Sequence, residues 1–329
     1  MRILVTGGAG YIGSHTVIEL LEMGYDVITL DNLQKGHREA ISGGEFVKVD
    51  LLNKNELEDV FKNSKIDAVV HFAADSLVGE SVENPSKYFK SNMIASLNLL
   101  DAMLKYDVKK IVFSSSAAVY GEPDRIPIQE NNKTFPTNPY GETKLMFENA
   151  IKWYDNAYGI KYVSLRYFNA AGAHISGKIG EDHAPESHLI PIVLQAVLGQ
   201  RPHVQIFGTD YETKDGTCVR DYIHITDLAM AHILALKRLE KGGDSAIYNL
   251  GNGEGFSVRE IIKVAEKVTG KKINTKDTPR RAGDPAVLIA TSEKIKKELN
   301  WAPKYNDINT IVETAWKWHK SNPKGFKTS

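Results

Sequence analysis

The chain has 329 residues, with 41 Lys and Arg against 41 Asp and Glu, so its formal net charge is zero at neutral pH. That balance excludes a field of one sign over the whole molecule, the mark of a nucleic-acid or membrane-surface binder, and makes a small-molecule partner the expectation. The length suffices for one large or two ordinary domains, and a lone cysteine, Cys218, excludes an internal disulfide and fits a reduced compartment.

The opening MRILVTGGAG enters a strand-like run directly, without the charged-then-apolar build of a signal peptide. No apolar stretch reaches the length needed to span a bilayer, so a cytoplasmic protein with no membrane partner is expected. Short apolar runs then alternate with helix-period segments: RILVTG, a helix over 13–23, DVITLD, EFVKVD, a helix over 54–61, AVVHFAA, a helix over 93–106, and KIVFSS. Continuously apolar strands separated by helices predict an α/β fold built on a doubly wound parallel sheet covered on both faces. Such a sheet binds ligands at the carboxyl ends of its strands. Those ends are Thr6-Gly7, Asp31-Asn32, Asp50-Leu51, Phe72-Ala73-Ala74 and Ser114 to Ser116.

Beyond about Leu165 the loops lengthen and polar, glycine-punctuated stretches dominate. The expected division is a dinucleotide-binding half over 1–168, with a return segment near 220–250, and a smaller, discontinuous substrate-binding part over 169–329. The return segment carries a sheet-covering helix from Asp227 to Leu239 and the strand AIYNLG, and the polar tail from Lys320 is expected to be loosely held.

Gly7, Gly10 and Gly13 follow the first strand and open the first helix. They permit a tight turn, close approach of backbone to a pyrophosphate, and a helix N-terminus offering N–H groups to the anion. Asp31 ends the second strand about 18 residues further on, near the spacing expected for an acid that accepts ribose hydroxyls. A carboxylate there repels a 2′-phosphate, which selects NAD over NADP. Asp50, at another strand end, suits adenine contact or a helix cap.

NPYGETKLMFE predicts a helix start, with Asn138-Pro139 as cap and first position. Tyr140 and Lys144 fall one turn apart on one face of it. A nicotinamide cofactor moves hydride, and the alcohol it oxidises must also lose a proton. Tyr140 is the expected base, its phenolate favoured by the positive charge of Lys144 and of oxidised NAD. Ser116, at the end of KIVFSSS, is the expected partner for the substrate oxygen. His174 and His183 show no partner histidine or carboxylate at ligand spacing, so no metal site is expected.

The glycine loop, the strand-end serine and YxxxK resemble the extended short-chain dehydrogenase/reductase superfamily. More narrowly, VTGGAGYIGSHT, HFAADSLVGESV, FSSSAAVYGEP, NPYGETK, LRYFNAAGAH, VRDYIHITDLA and PRRAGDPA make the chain similar, nearly end to end, to the UDP-glucose 4-epimerase (UDP-galactose 4-epimerase) family. The resemblance implies a Rossmann-like sheet, tightly held NAD, and reversible interconversion of UDP-galactose and UDP-glucose through a 4-keto sugar. It implies that Tyr140, Lys144 and Ser116 are catalytic. For NAD it implies contacts from Gly7, Gly10, Tyr11, Ile12, Gly13, Asp31, Asn32, Asp50, Leu51, Phe72, Ala73, Asn92, Ser114 and Phe168 besides Tyr140 and Lys144. For the sugar nucleotide it implies Ser116, Tyr140, Asn169, His188, Leu189, Gln205, Phe207, Arg220, Arg281, Asp284 and Leu288; the arginines suit a diphosphate and Asp284 a ribose.

Ala117 stands where related 4,6-dehydratases carry an acid, so elimination lacks its proton donor. Epimerisation of UDP-N-acetylglucosamine or UDP-glucuronate, a simple sugar-nucleotide dehydrogenase, and a non-catalytic NAD-binding protein are the alternatives. Ser76, beside Asp75, replaces a lysine common in the family, which puts one cofactor contact in question, and Leu288 is intermediate in size at the position bearing on N-acetyl acceptance. Family members are homodimers, and helices 93–106 and 141–158 are the matching segments; Leu145, Met146, Trp153 and Tyr154 suit an interface or a core equally.

Overall fold

The computed structural model describes residues 1–281 and 284–326. Two residues of PRRAGDPA, Ala282 and Gly283, and the last three of the polar tail lie outside them. Strands form where aliphatic and β-branched residues run together: β1 (Arg2–Thr6), β2 (Asp26–Asp31), β3 (Glu45–Lys48), β4 (Ala68–His71), β5 (Lys110–Ser114) and β6 (Lys161–Tyr167). Seven more strands follow among the described residues: β7 (Asn169–Ala171), β8 (Val204–Phe207), β9 (Val219–His224), β10 (Ala246–Leu250), β11 (Gly255–Ser257), β12 (Thr275–Thr278) and β13 (Val287–Leu288).

The main sheet runs β3-β2-β1-β4-β5-β6-β10, with every pair parallel. Winding reverses between β1 and β4, so the crevice outside their carboxyl ends is the ligand-binding edge of this topology. Ile3, Leu4 and Val5 are fully buried, as a central strand covered on both faces must be. Ile3 and Val5 join one apolar cluster, beneath helices Tyr11–Glu22 and Ile225–Glu240; Leu4 joins another, beneath helices Lys54–Asn63, Ala95–Lys105 and Pro139–Tyr158. Each such side chain contributes about 1.5–3 kcal/mol when withdrawn from water.

Helix boundaries depart slightly from expectation. The first helix begins at Tyr11, inside the glycine loop, and the helix expected over 93–106 is entered through a π-helix, Phe89–Ile94, before Ala95–Lys105. Asn138 does cap helix Pro139–Tyr158, its side chain accepting from Gly141 N at 2.9 Å.

The chain leaves the main sheet after β6, and returns through helix Ile225–Glu240 to add β10 at the edge beside β6. Between and after these, β9 pairs with β7, β11 and β13, while β8 pairs with β12. A third apolar cluster, including Leu194, Ile206, Ile261 and Ile311, fills the space under helices Leu189–Val197, Val258–Thr269 and Ile308–Ser321. Among the described residues, no helix is long and apolar enough to cross a membrane.

Candidate active site

A cavity of roughly 1280 Å³ opens along the carboxyl edge of the main sheet, larger than the roughly 300–1,000 Å³ usual for a single small ligand. Its walls bring together Gly7, Gly10, Tyr11, Ile12, Gly13, Asp31 and Asn32 from the first two strand ends, and Asp50, Leu51, Phe72 and Ala73 from the next two. Ser114, Ser116, Tyr140, Lys144 and Phe168 form its middle; Asn169, His188, Arg220, Arg281, Asp284 and Leu288 form the far side.

The glycine loop needs its glycines for space. Gly7 has φ +70° and a Cβ there would stand 2.5 Å from Ala73 N, while one on Gly13 would stand 2.2 Å from the Gly7 carbonyl oxygen. Gly10 caps the first helix with no side-chain hydrogen bond, which leaves the first-turn N–H groups to an anion. Asp31 is aimed at this loop: Oδ2 accepts from Ala9 N at 3.0 Å and Oδ1 from Leu33 N at 2.8 Å. Burial pushes its carboxyl pKa up, against those two N–H groups and His37. Asp50 does not cap the following helix, whose cap is Asn53; it accepts from Asn32 Nδ2 at 3.0 Å and Leu52 N at 2.8 Å, at the cavity rim.

The three serines after β5 separate by direction. Ser114 Oγ is hydrogen-bonded to Tyr167 OH, and Ser115 Oγ donates to Glu148 Oε1 at 2.6 Å, inside the core. Ser116 lies at the cavity wall, with its hydroxyl hydrogen-bonded to Tyr140. Lys144 Nζ donates to the Ser114 carbonyl at 2.9 Å and stands 5.8 Å from the Tyr140 ring centroid.

The electrostatics differ from the sequence expectation. Burial raises the Tyr140 pKa, and the hydrogen bond from Ser116 is the opposing influence. Lys144 does not lower it here, because its own ammonium is buried and its pKa falls to about 7, against the pull of Glu148. A lysine removed from water is a weaker source of positive charge than the sequence suggests.

Four expected contacts lie off the cavity wall. Asn92 spends its amide on the loop after β4, accepting from Asp75 N at 2.8 Å and donating to Asp75 O at 3.0 Å and Thr143 Oγ1 at 3.1 Å. Leu189 begins the helix just behind His188, Gln205 projects to the exposed side of β8, and Phe207 lies under Arg281, whose guanidinium stacks 3.9 Å over its ring. Arg220 and Asp284 are ion-paired with each other across the far wall. Ser76 lines the cavity, and the cation nearest in sequence on that wall, Lys87, is tied to Asp75 at 3.2 Å and Glu80 at 2.8 Å.

Two groups escaped the sequence reading. Arg166 and Glu148 form a buried pair behind the site, with Arg166 Nη1 also donating to Tyr120 OH at 2.9 Å. Lys144 and Glu148, one turn apart, were the available signal. Contrary to the sequence expectation, His174 and His183 both have carboxylate partners: His174 Nε2 is 3.4 Å from Glu19, and His183 sits with Glu181, Glu186 and His188 in a cluster that could hold a metal ion. Spacing rules drawn from helices fail there because the segment is an irregular loop, although E-x-H-x-x-E-x-H was legible in the chain.

Residues 3–251 match the NAD dependent epimerase/dehydratase family. A curated UDP-glucose 4-epimerase of Halalkalibacterium halodurans is 60% identical over 328 residues, covering 100% of this chain and 98% of that protein. A crystal structure of a UDP-glucose 4-epimerase superposes with a TM-score of 0.98 at 52% identity, covering 100% of both chains. The UDP-glucose 4-epimerase of Bifidobacterium longum, solved in complex with NAD+ and UDP, gives 0.95 at 42% identity over 99% of this chain and 100% of that one.

Proposed function

Because the chain belongs to the NAD dependent epimerase/dehydratase family, we propose that it is an NAD-dependent isomerase interconverting UDP-galactose and UDP-glucose by inversion at C4. The observation that carries this reading is the convergence of Ser116, Tyr140 and Lys144 on one cavity, between a glycine loop and two arginines.

The residues fit NAD on two counts: the Gly7–Gly13 cradle that any Cβ would fill, and the carboxylate of Asp31 held at its edge. Gly7 through Gly13 would hold the pyrophosphate, Asp31 the adenosine ribose, and Asn32, Asp50 and Leu51 the adenine side. Bound there, NAD would supply reversible hydride acceptance for the oxidation and re-reduction of the sugar at C4. Tyr140 takes the O4 proton and gives it back, with Ser116 hydrogen-bonded to the phenol and favouring its ionised form. Lys144 anchors the reacting helix to the Ser114 carbonyl and holds a proton that can be shared with a nearby hydroxyl. Arg220 and Arg281 bind the diphosphate, and Asp284, now paired with Arg220, is the ribose acceptor beside it. Ala117 is apolar and buried, which supports epimerisation over dehydration.

On this reading residues 1–168 with the returning segment form the dinucleotide half, the remainder holds the sugar nucleotide, and the protein is cytoplasmic. A homodimer is supported by Ile94, Trp153 and Tyr158, 48%, 70% and 49% exposed on the two expected helices, while Tyr154 is committed to Asp101 at 2.8 Å. The test is incubation of the purified protein with UDP-galactose and no added nucleotide. Conversion to UDP-glucose is expected; no product, or turnover that occurs only when NAD is added and yields NADH in proportion to substrate, would reject the proposal.

A further inference from the structure

Between β7 and helix Leu189–Val197 the chain folds Glu181, His183, Glu186 and His188 toward a common point, with one ligating atom from each within 4.8 Å of the others. His183 Nδ1 stands 3.3 Å from Glu181 Oε1 and 3.8 Å from Glu186 Oε2. His188 Nδ1 stands 3.8 Å from Glu186 Oε1 and is in contact with Glu181 Oε1. Donors on a tetrahedron of bond length about 2.1 Å are about 3.4 Å apart, so a cation at the centre requires little movement of these atoms.

Charge argues the same way. The two carboxylate side chains are 3% and 2% exposed, so they repel each other out of reach of water. A divalent cation held between the two carboxylates would offset both charges.

We propose that Glu181, His183, Glu186 and His188 form a zinc-type divalent-metal site. Two imidazole nitrogens and two carboxylate oxygens, without thiolate, suit zinc, and four protein ligands with no open position mark a structural rather than a catalytic ion. The site sits where an ion would act as a clasp. His183 and Tyr11 of the glycine loop have ring centroids 6.2 Å apart, and Lys35 Nζ, from the loop after β2, donates to Ala184 O at 3.0 Å. The metal would thus fix the loop over 181–188 against the dinucleotide crevice. With Nδ1 of His188 committed to the ion, Nε2 is the ring nitrogen left to face the cavity.

The experiment uses untagged holoprotein, freed of metal by chelation and titrated with Zn2+ alone against a chromogenic chelator at neutral pH. Expected are one equivalent per chain, release of protons on binding, a raised unfolding midpoint, and no competition from Mg2+. Glu181→Gln should weaken binding at least tenfold; His183→Gln, at a ring 27% exposed, serves as a second variant should the first fail to fold. His203→Gln, outside the cluster, should bind as the parent does. An X-ray absorption spectrum should give two nitrogen and two oxygen neighbours at about 2.0–2.2 Å. Absence of stoichiometric binding, or binding unchanged in both cluster variants, would leave only a hydrogen-bonded ion-pair cluster and overturn the proposal.

Discussion

Substituting Glu148→Gln probes the support behind the site. Glu148 and Arg166 side chains are 3% and 5% exposed. Glu148 Oε1 accepts from Arg166 Nε at 2.9 Å and from Ser115 Oγ at 2.6 Å, and Oε2 accepts from Arg166 Nη2. Glutamine keeps the shape and one acceptor oxygen but loses the negative charge, leaving the guanidinium a buried cation facing only neutral partners, the amide oxygen and Tyr120 OH. Stranding a buried charge costs about 3–5 kcal/mol. At about 2.1 cal/mol/K per residue, a 329-residue chain has an unfolding entropy of roughly 0.7 kcal/mol/K, so the midpoint should fall by about 4–7 °C. Calorimetry of holoprotein with saturating NAD reads this directly. The double variant Glu148→Gln/Arg166→Met removes the stranded cation and should recover most of the loss, since a buried pair adds little over a packed apolar replacement. A fall below about 2 °C, or a double variant no more stable than the single one, refutes the assignment of a buried electrostatic brace.

Tyr140→Phe should slow turnover about 10²–10⁴-fold, the usual worth of a positioned base, with UDP affinity by calorimetry nearly unchanged; normal turnover would remove Tyr140 from the mechanism. Gly13→Ala should yield protein purified without NAD, because its Cβ meets backbone at 2.2 Å and 2.7 Å; a normal absorbance ratio for bound dinucleotide would contradict this. Lys144 has a pKa of about 7 when folded and 10.5 as its ordinary value, so between these pH values the unfolded chain binds more protons. Its contribution therefore makes the ligand-free protein gain stability as pH rises from about 7 toward 10.5, and Lys144→Met should flatten that slope; parallel urea midpoints for parent and variant across the range would expose the error.

The main sheet was readable because β1, β2, β4 and β5 are short uninterrupted apolar runs, and because winding rules leave few ways to arrange them. The helix start at Asn138 was readable from local chemistry alone. The strands β7, β8, β9 and β11 to β13 were not, since they are two to six residues long and their partners lie far along the chain. The same distinction holds at the site. Tyr140 and Lys144 share a helix face, so spacing reveals them, whereas the partnership of Glu148 with Arg166 depends on where β6 is laid. The burial that lowers the Lys144 pKa could not be read from spacing, because it is a property of the packed molecule. The loop cluster at 181–188 was missed because irregular backbone obeys no period.

The edge strand Ala246–Leu250 and its preceding helix are delivered late, after the polypeptide has wandered off to build another layer. A nascent chain emerging from the ribosome therefore carries the glycine loop and the tyrosine helix long before it carries the cover for Val5 and Leu20, which share an apolar cluster with Leu228 and Leu236. Cutting the gene after residue 168 would yield an oily, unfinished slab rather than an excisable cofactor module. Any attempt to transplant this half onto another protein has to carry the distant segment with it.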